Sequence, residues 1–330
     1  MWYSAVGCLV MLTLSLLVTP LAAEAQQLTK VPRIGVLSAN SQASEASVDQ
    51  LEAFRQGLRD LGYVEGQNIT VEYRFAEWQE ERLAALAAEL VRLPGDVLVT
   101  RSAPAAHAAR HATSTIPIVF SNVNDPVGQG IVASLARPGG NITGLSTLSS
   151  EISGKRLQLL KEAIPALQRV AVVWHAANPG MALQFRETQD TARVLGLELH
   201  SLEVHSPDDV DRVVAAARAE RVEGLVVLPG LPVRSPTQVV DFATTHRLPA
   251  IYAVCELVQA GGLMSYGPNY REIARRAAAY VDKILKGAQP GNLPVERPRK
   301  FAMVINLKTA KDLGLTIPPS ILFQADEVIR

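Results

Sequence analysis

The sequence predicts an α/β protein built as two lobes of one topology. Each lobe is a parallel sheet covered by helices, and the chain crosses between the lobes more than once. Three observations predict this. Short β-rich runs alternate with amphipathic helices. The alternation restarts in the same order half-way along the chain. A helix and a strand are left over once the second round is complete. The length of 330 residues agrees with about two domains of roughly 150 residues each. With 48% hydrophobic and 19% charged residues, the chain can bury two sizeable cores.

Ile34-Gly-Val-Leu37 opens the first round as a short apolar run, and the next segment places Val48, Leu51, Phe54, Leu58 and Leu61 near one helical face. Residues Ile69 to Phe75 alternate like a strand. Leu83, Leu86, Ala87, Leu90 and Val91 then follow the i, i+3, i+4, i+7, i+8 spacing of a helix. Val97-Leu-Val99 reads as a buried strand, Ala105 to Ala112 as a small-residue helix, and Ile118-Val-Phe120 as the next strand. Strands that alternate with helices imply a parallel sheet, because each crossover lays a helix on one of its faces.

The second round echoes the first. Arg33-Ile-Gly-Val-Leu-Ser-Ala-Asn40 is matched by Arg169-Val-Ala-Val-Val-Trp-His-Ala-Ala-Asn178, and Leu61-Gly62 by Leu195-Gly196. Asp96 to Pro104 is matched by Glu223 to Pro232, Ile116-Pro-Ile-Val-Phe120 by Leu248-Pro-Ala-Ile-Tyr252, and Asn141 to Leu145 by Gly261 to Ser265. Any one match is what βα units share in general. Their common order and spacing point to a repeated lobe. After them, Ile273, Ala277, Tyr280, Val281, Ile284 and Leu285 share a helical face that Gly287 and Pro290 end, and Phe301 to Asn306 reads as a strand. Neither lobe needs these pieces to complete its own repeat, so they are expected to cross back and form a hinge.

The N-terminus is different in kind. Residues Ala5 to Leu21 carry no charge, Pro20 breaks the apolar run, and Ala23-Glu24-Ala25 places small residues where a signal peptidase reads them. Residues 1–25 are expected to be a signal peptide cleaved after Ala25, which places the mature protein in the periplasm. The alternative is a membrane anchor, since the run is near the lower limit of about 17 residues for a span. Cleavage removes Cys8 and leaves Cys255 without an internal disulfide partner. Lys plus Arg equals Asp plus Glu at 32 each, so no charge imbalance favours nucleic acid or an anionic membrane.

In open parallel sheets ligands bind outside the carboxyl ends of the strands, where the N-termini of helices point outward. That rule selects Ser38 and Asn40 after the first strand, Arg101 and Ser102 after the third, and Ser121, Asn122 and Asp125 after the fourth. In the second lobe it selects His175, then Pro229 and Gly230, then Ala253, with Tyr266 at the second crossing. These loops suit a zwitterion. Asp125 would pair with an ammonium group. Ser102, Ser121 and Arg101 would take a carboxylate, the guanidinium in bidentate fashion. Each has a plainer reading as well: Asp125-Pro126 as a helix N-cap, Arg101 as a solvated surface residue, Tyr266 as a packed hinge residue, Trp78 as packing ahead of a helix. His175 has no companion at metal-ligand spacing, so neither a metal nor a cofactor is implied. The chain has no Gly-x-Gly-x-x-Gly after its first strand, no phosphate loop ending in Gly-Lys, and no Gly-x-Ser-x-Gly elbow, which speaks against an enzyme.

Several stretches resemble the ABC transporter substrate-binding protein family that includes tryptophan- and tyrosine-binding receptors. The longest are Ala112-Thr-Ser-Thr-Ile-Pro-Ile-Val-Phe120 and Asp125-Pro-Val-Gly-Gln-Gly-Ile-Val-Ala-Ser-Leu-Ala-Arg-Pro-Gly-Gly-Asn-Ile-Thr-Gly144. Gly57 to Tyr63, Gly66-Gln-Asn68, Leu86 to Leu90, Ile305 to Leu315 and Ala325 to Ile329 are similar to it too. Where relatives often carry glycine or alanine before Asp-Pro, this chain has Ser121-Asn-Val-Asn124. The resemblance implies a type I periplasmic binding protein with two Rossmann-like lobes and a three-crossover hinge. The expected lobes are 31–144 with about 268–290, and 145–267 with about 291–330. It implies a monomer that captures a small molecule, an amino acid or related carboxylate, by hinge closure. The partners would be a permease in the inner membrane and its cytoplasmic ATPase. The same closure would serve a ligand sensor for a membrane receptor.

Overall fold

The computed structural model describes residues 31–42, 45–147, 152–233, 237–298 and 300–330. The export-signal reading of residues 1–25 lies outside them. The first sheet holds β1 (Arg33–Ser38), β2 (Thr70–Phe75), β3 (Val97–Thr100), β4 (Ile118–Val123) and β5 (Ile142–Ser146) in the order β2-β1-β3-β4-β5, all parallel. The second holds β6 (Arg169–His175), β7 (Glu198–Val204), β8 (Gly224–Val227), β9 (Ala250–Tyr252), β10 (Met264–Pro268), β11 (Phe301–Asn306) and β12 (Glu327–Ile329). Its order is β12-β11-β10-β9-β8-β6-β7, parallel except between β10 and β11. Reading β6 to β10 as a second β1 to β5 gives the same strand order, so the sequence echoes mark equivalent strands.

The helices between the strands are α1 (Glu45–Asp60), α2 (Leu83–Arg92), α3 (Ala103–Ala112), α4 (Ser153–Ala163), α5 (Pro179–Leu195), α6 (Val210–Ala219), α7 (Thr237–Thr245), α8 (Glu256–Gln259), α9 (Tyr270–Leu285), α10 (Leu307–Asp312) and α11 (Pro319–Gln324). Side chains of the first sheet alternate between two cores. Ile34, Val36, Val97 and Val99 pack under α1 and α9, while Leu37 and Leu98 pack under α2 and α3. This is the period-2 alternation of a strand buried on both faces.

The lobes exchange a helix. The chain leaves β5, crosses, and forms α4, whose Leu157, Leu159 and Leu160 join the core of the second sheet. It leaves β10, crosses again, and forms α9, whose Ile273, Ala274, Ala277, Ala278, Val281 and Ile284 join the core of the first. It crosses a third time to reach β11, which pairs with β10. On the way, Glu296 forms an isolated parallel bridge to Leu145 beside β5, whereas β11 pairs with β10 in antiparallel fashion. Asn269 caps α9 by accepting from the Glu272 amide at 3.0 Å. Close packing of α9 on α1 depends on Gly57: a Cβ there would stand 2.4 Å from the carbonyl oxygen of Arg275. Arg275 also pairs with Asp60 at 2.7 Å, and Tyr63 donates to Asp282 at 3.0 Å. Among the described residues no helix is long and apolar enough to cross a membrane.

Candidate functional site

The carboxyl ends of the two sheets meet at Asn124. Its side-chain amide donates to the carbonyl of Gly180, at the start of α5, at 2.7 Å. Its oxygen accepts from Asp125 N at 3.0 Å and from Gln129 Nε2 at 2.6 Å, so the loop after β4 is braced where it touches the other lobe.

On the first sheet the edge is built as follows. Ser38 ends β1 fully buried, and its hydroxyl accepts from Asn40 N at 3.2 Å. Ser102 caps α3, its hydroxyl accepting from Ala105 N at 3.2 Å. Ser121 is buried and donates to the Thr100 carbonyl at 3.3 Å. Asn122 follows a break in the pairing of β4 with β5 and takes a left-handed backbone with φ 59°. The structure joins two of the expected residues through one that the sequence reading missed: Gln50 of α1 accepts from Arg101 Nη2 at 3.0 Å and from Asn122 Nδ2 at 2.8 Å. Among the described residues, three polar atoms of this edge are buried without a hydrogen-bond partner: Thr100 Oγ1, Arg101 Nη1 and Asn122 Oδ1.

Several expectations change here. Arg101 is not a solvated surface residue. It is only 5% exposed, and burial pushes its guanidinium down to about 10, with Tyr73 acting weakly in the opposite direction. No helix starts at Pro126. Residues 126–130 form a turn, and the Asp125 carboxylate caps it by accepting from Gly128 N at 2.9 Å.

In the second lobe, His175 is not a loop residue. It is the last residue of β6, buried, and burial followed by the nearby His205 lowers its pKa. Pro229 and Gly230 follow β8 in a bend, Pro229 half-buried and Gly230 exposed with φ 72°. Ala253 is buried, and its carbonyl closes on Gly267, where a Cβ would stand 2.0 Å away. Tyr266 lies within β10 and not in the crossing. Its ring packs on Phe301 with centroids 6.0 Å apart, and its carbonyl is bonded as well. That carbonyl accepts at 2.7 Å from Nε of Arg156, a second fully buried guanidinium that the sequence reading missed. Ser153 and Gln184 accept from its Nη1 at 3.3 and 3.4 Å, while Nη2 has no partner among the described residues. Burial, then the neighbouring Glu256, raise the Cys255 thiol to about 11, which disfavours the nucleophilic thiolate.

Two lobes of equal strand order joined by three crossings define the type I periplasmic-binding-protein fold. The chain belongs to the ABC transporter substrate binding protein family, whose model matches residues 36–329. It is similar to a tyrosine-binding protein of Clostridioides difficile, 27% identical over 264 residues that span 80% of this chain and 76% of that protein. It is also similar to a solved protein of Vibrio cholerae described only as a conserved domain protein, with 30% identity, TM-score 0.84, and 91% of this chain and 100% of that one covered. A third similar structure is an ABC domain from Streptococcus pneumonia in complex with L-Trp, with 25% identity, TM-score 0.81 and coverage of 90% and 99%.

Proposed function

We propose that this protein captures an amino acid in the interlobe cleft by hinge closure and delivers it to a permease driven by a cytoplasmic ATPase, working in the periplasm after export. The observation that carries the reading is the cluster of Thr100 Oγ1, Arg101 Nη1 and Asn122 Oδ1, buried at one sheet edge without partners. A buried polar atom left unpaired costs about 1–3 kcal/mol, and more when it is charged, so a ligand that satisfies all three gains what the free protein lacks. In this reading Arg101 takes the carboxylate, and Asn122 Oδ1 and Asp125 take the ammonium group. The relatives with tryptophan or tyrosine in their descriptions support an amino acid.

The lobes of this reading are residues 31–144 with about 268–290, and 145–267 with about 291–330. The packing of α9 on the first sheet and the pairing of β11 with β10 support the division. Closure follows from linkage: only the closed form lets the ligand touch both lobes, so binding shifts the population toward it.

A thermal-shift screen with amino acids, small carboxylates, sugars and nucleosides tests the reading. A true ligand at a hundred times its dissociation constant adds about 2.7 kcal/mol of apparent stability. Stabilisation by amino acids is expected, and stabilisation by sugars alone would overturn the assignment.

A further inference from the structure

α3 carries two histidines on its outer side. Its sequence, Ala103-Pro-Ala-Ala-His-Ala-Ala-Arg-His-Ala112, is mostly alanine, and Ala103, Ala105, Ala106 and Ala109 are buried in the core beneath it. His107 and His111 stand away from that core, the first half-buried and the second exposed. Their i, i+4 spacing puts the two side chains one above the other on a single helical face. Helical zinc sites present two imidazoles to one ion at this same spacing.

The local chemistry suits both rings to coordination. His111 Nδ1 lies 2.8 Å from the His107 carbonyl oxygen. A carbonyl can only accept, so Nδ1 carries the proton and Nε2 keeps its lone pair. Metal-ligating histidines are commonly fixed in this way, by giving the second ring N–H to a backbone carbonyl or a carboxylate. The His107 ring makes no hydrogen bond among the described residues. Burial, then Arg110 and His111, lower its pKa, so this ring too is neutral at neutral pH. Arg110 donates to the Gly130 carbonyl, which draws the cation toward the loop after β4. His200 is the contrasting case: its Nε2 and Nδ1 face Glu198 and Glu220 at 3.2 and 3.3 Å, so both nitrogens are engaged.

We propose that His107 and His111 form a two-point binding site for a divalent transition metal of the Ni2+, Cu2+ and Zn2+ class on the outer side of the first sheet. Imidazole nitrogen suits these ions, whereas Mg2+ and Ca2+ take oxygen ligands. Among the described residues no group of three or more His, Cys, Asp or Glu could hold a metal, so water completes the coordination and the affinity is that of a two-nitrogen chelate. The pair lies on the helix face and not at the sheet edge, so the inference does not rest on the amino-acid reading.

Calorimetric titration with Ni2+ and with Mg2+ tests this on the untagged wild type and on His107→Gln, His111→Gln, the double variant and His200→Gln. The wild type is expected to bind one Ni2+ with a Kd of about micromolar order and to show no heat with Mg2+. Each α3 variant is expected to weaken Ni2+ about tenfold or more, because one imidazole cannot chelate. The double variant is expected to lose little beyond either single one, since the two residues act as a unit. His200→Gln is expected to keep the wild-type affinity, and circular dichroism checks that every variant is folded. A wild type that binds no Ni2+ overturns the inference. So does Ni2+ affinity that is unchanged in either α3 variant or that is lost in His200→Gln.

Discussion

Asn124 donates to the carbonyl of Gly180 at 2.7 Å and thereby ties the β4 edge of one lobe to the first turn of α5 in the other. The approach leaves no spare room: a Cβ on Gly180 would stand 2.9 Å from Asn124 Oδ1. In the proposed closure mechanism the pair acts as a latch on the closed form. Loss of one such hydrogen bond costs about 0.5–1.5 kcal/mol, so Asn124→Ala is expected to weaken ligand affinity about two- to tenfold. The ligand-free protein is expected to be more expanded. Calorimetry and small-angle scattering check the two parts, with Gly180→Ala giving the same direction by steric means.

Arg101 is a buried cation, and among the described residues no carboxylate is hydrogen-bonded to it. A buried charge without an ionic partner is a burden on the free protein. Arg101→Met is therefore expected to leave the Tm of the ligand-free protein equal or higher while weakening amino-acid binding about ten- to a hundredfold, the range for a charged hydrogen bond. Thermal melts with and without ligand separate the effects. A variant that melts lower yet binds normally would make Arg101 a structural residue.

Gln50 is the acceptor that holds Arg101 and Asn122 together. Gln50→Leu fills similar space, removes both bonds and frees the two donors. Affinity is expected to fall about three- to thirtyfold with the fold intact, as judged by far-ultraviolet circular dichroism and calorimetry.

Gly57 tests the packing of the exchanged helix. With the Arg275 carbonyl 2.4 Å from any Cβ, Gly57→Val must push α9 away from α1. Overpacking of this kind costs about 1–3 kcal/mol, to be measured as a lowered denaturation midpoint with little change in m-value.

His175 sets a pH dependence. Burial lowers its pKa in the folded state, so the folded form binds the proton less readily than the unfolded one. Stability from this residue is complete above the unfolded value, about 6.5, and is lost as pH falls below it toward the folded value. Half-buried His107, lowered by burial and by Arg110 and His111, adds in the same direction. His175→Gln is expected to flatten part of the fall in Tm between about pH 7 and 5. An unchanged profile would show that His175 is not a source of it.

Much of the fold was legible because periodicity is local. The β-rich runs lie where the apolar spacing puts them, and Leu51, Phe54 and Leu58 form the buried face of α1, whereas Val48 and Leu61 of the same pattern are exposed; the restart at Arg169 marks the second β1. Capping was only partly legible. Ser102 caps a helix, whereas Asp125-Pro126 has the composition of a cap, but its chain turns back through Gly128 and Gly130 instead of continuing. The site was harder to read because its partners are distant in sequence. Gln50 reaches Arg101 and Asn122 from α1, and Arg156 reaches Tyr266 only because α4, after the first crossing, packs on the second sheet. No local pattern marks Arg101 as buried or Trp78 as left-handed, since both follow from how the edge loops dock on β1.

The claim on which the rest depends is that the first-lobe edge, through Arg101, holds the carboxylate of an amino acid. Calorimetric titration with L-tyrosine and with tyramine, which has the same ring and amine but no carboxylate, tests it most directly. The account predicts saturable binding of tyrosine, and tyramine weaker by about a hundredfold or more, given the strength of charged hydrogen bonds to a buried guanidinium. Equal affinity for the two would contradict it.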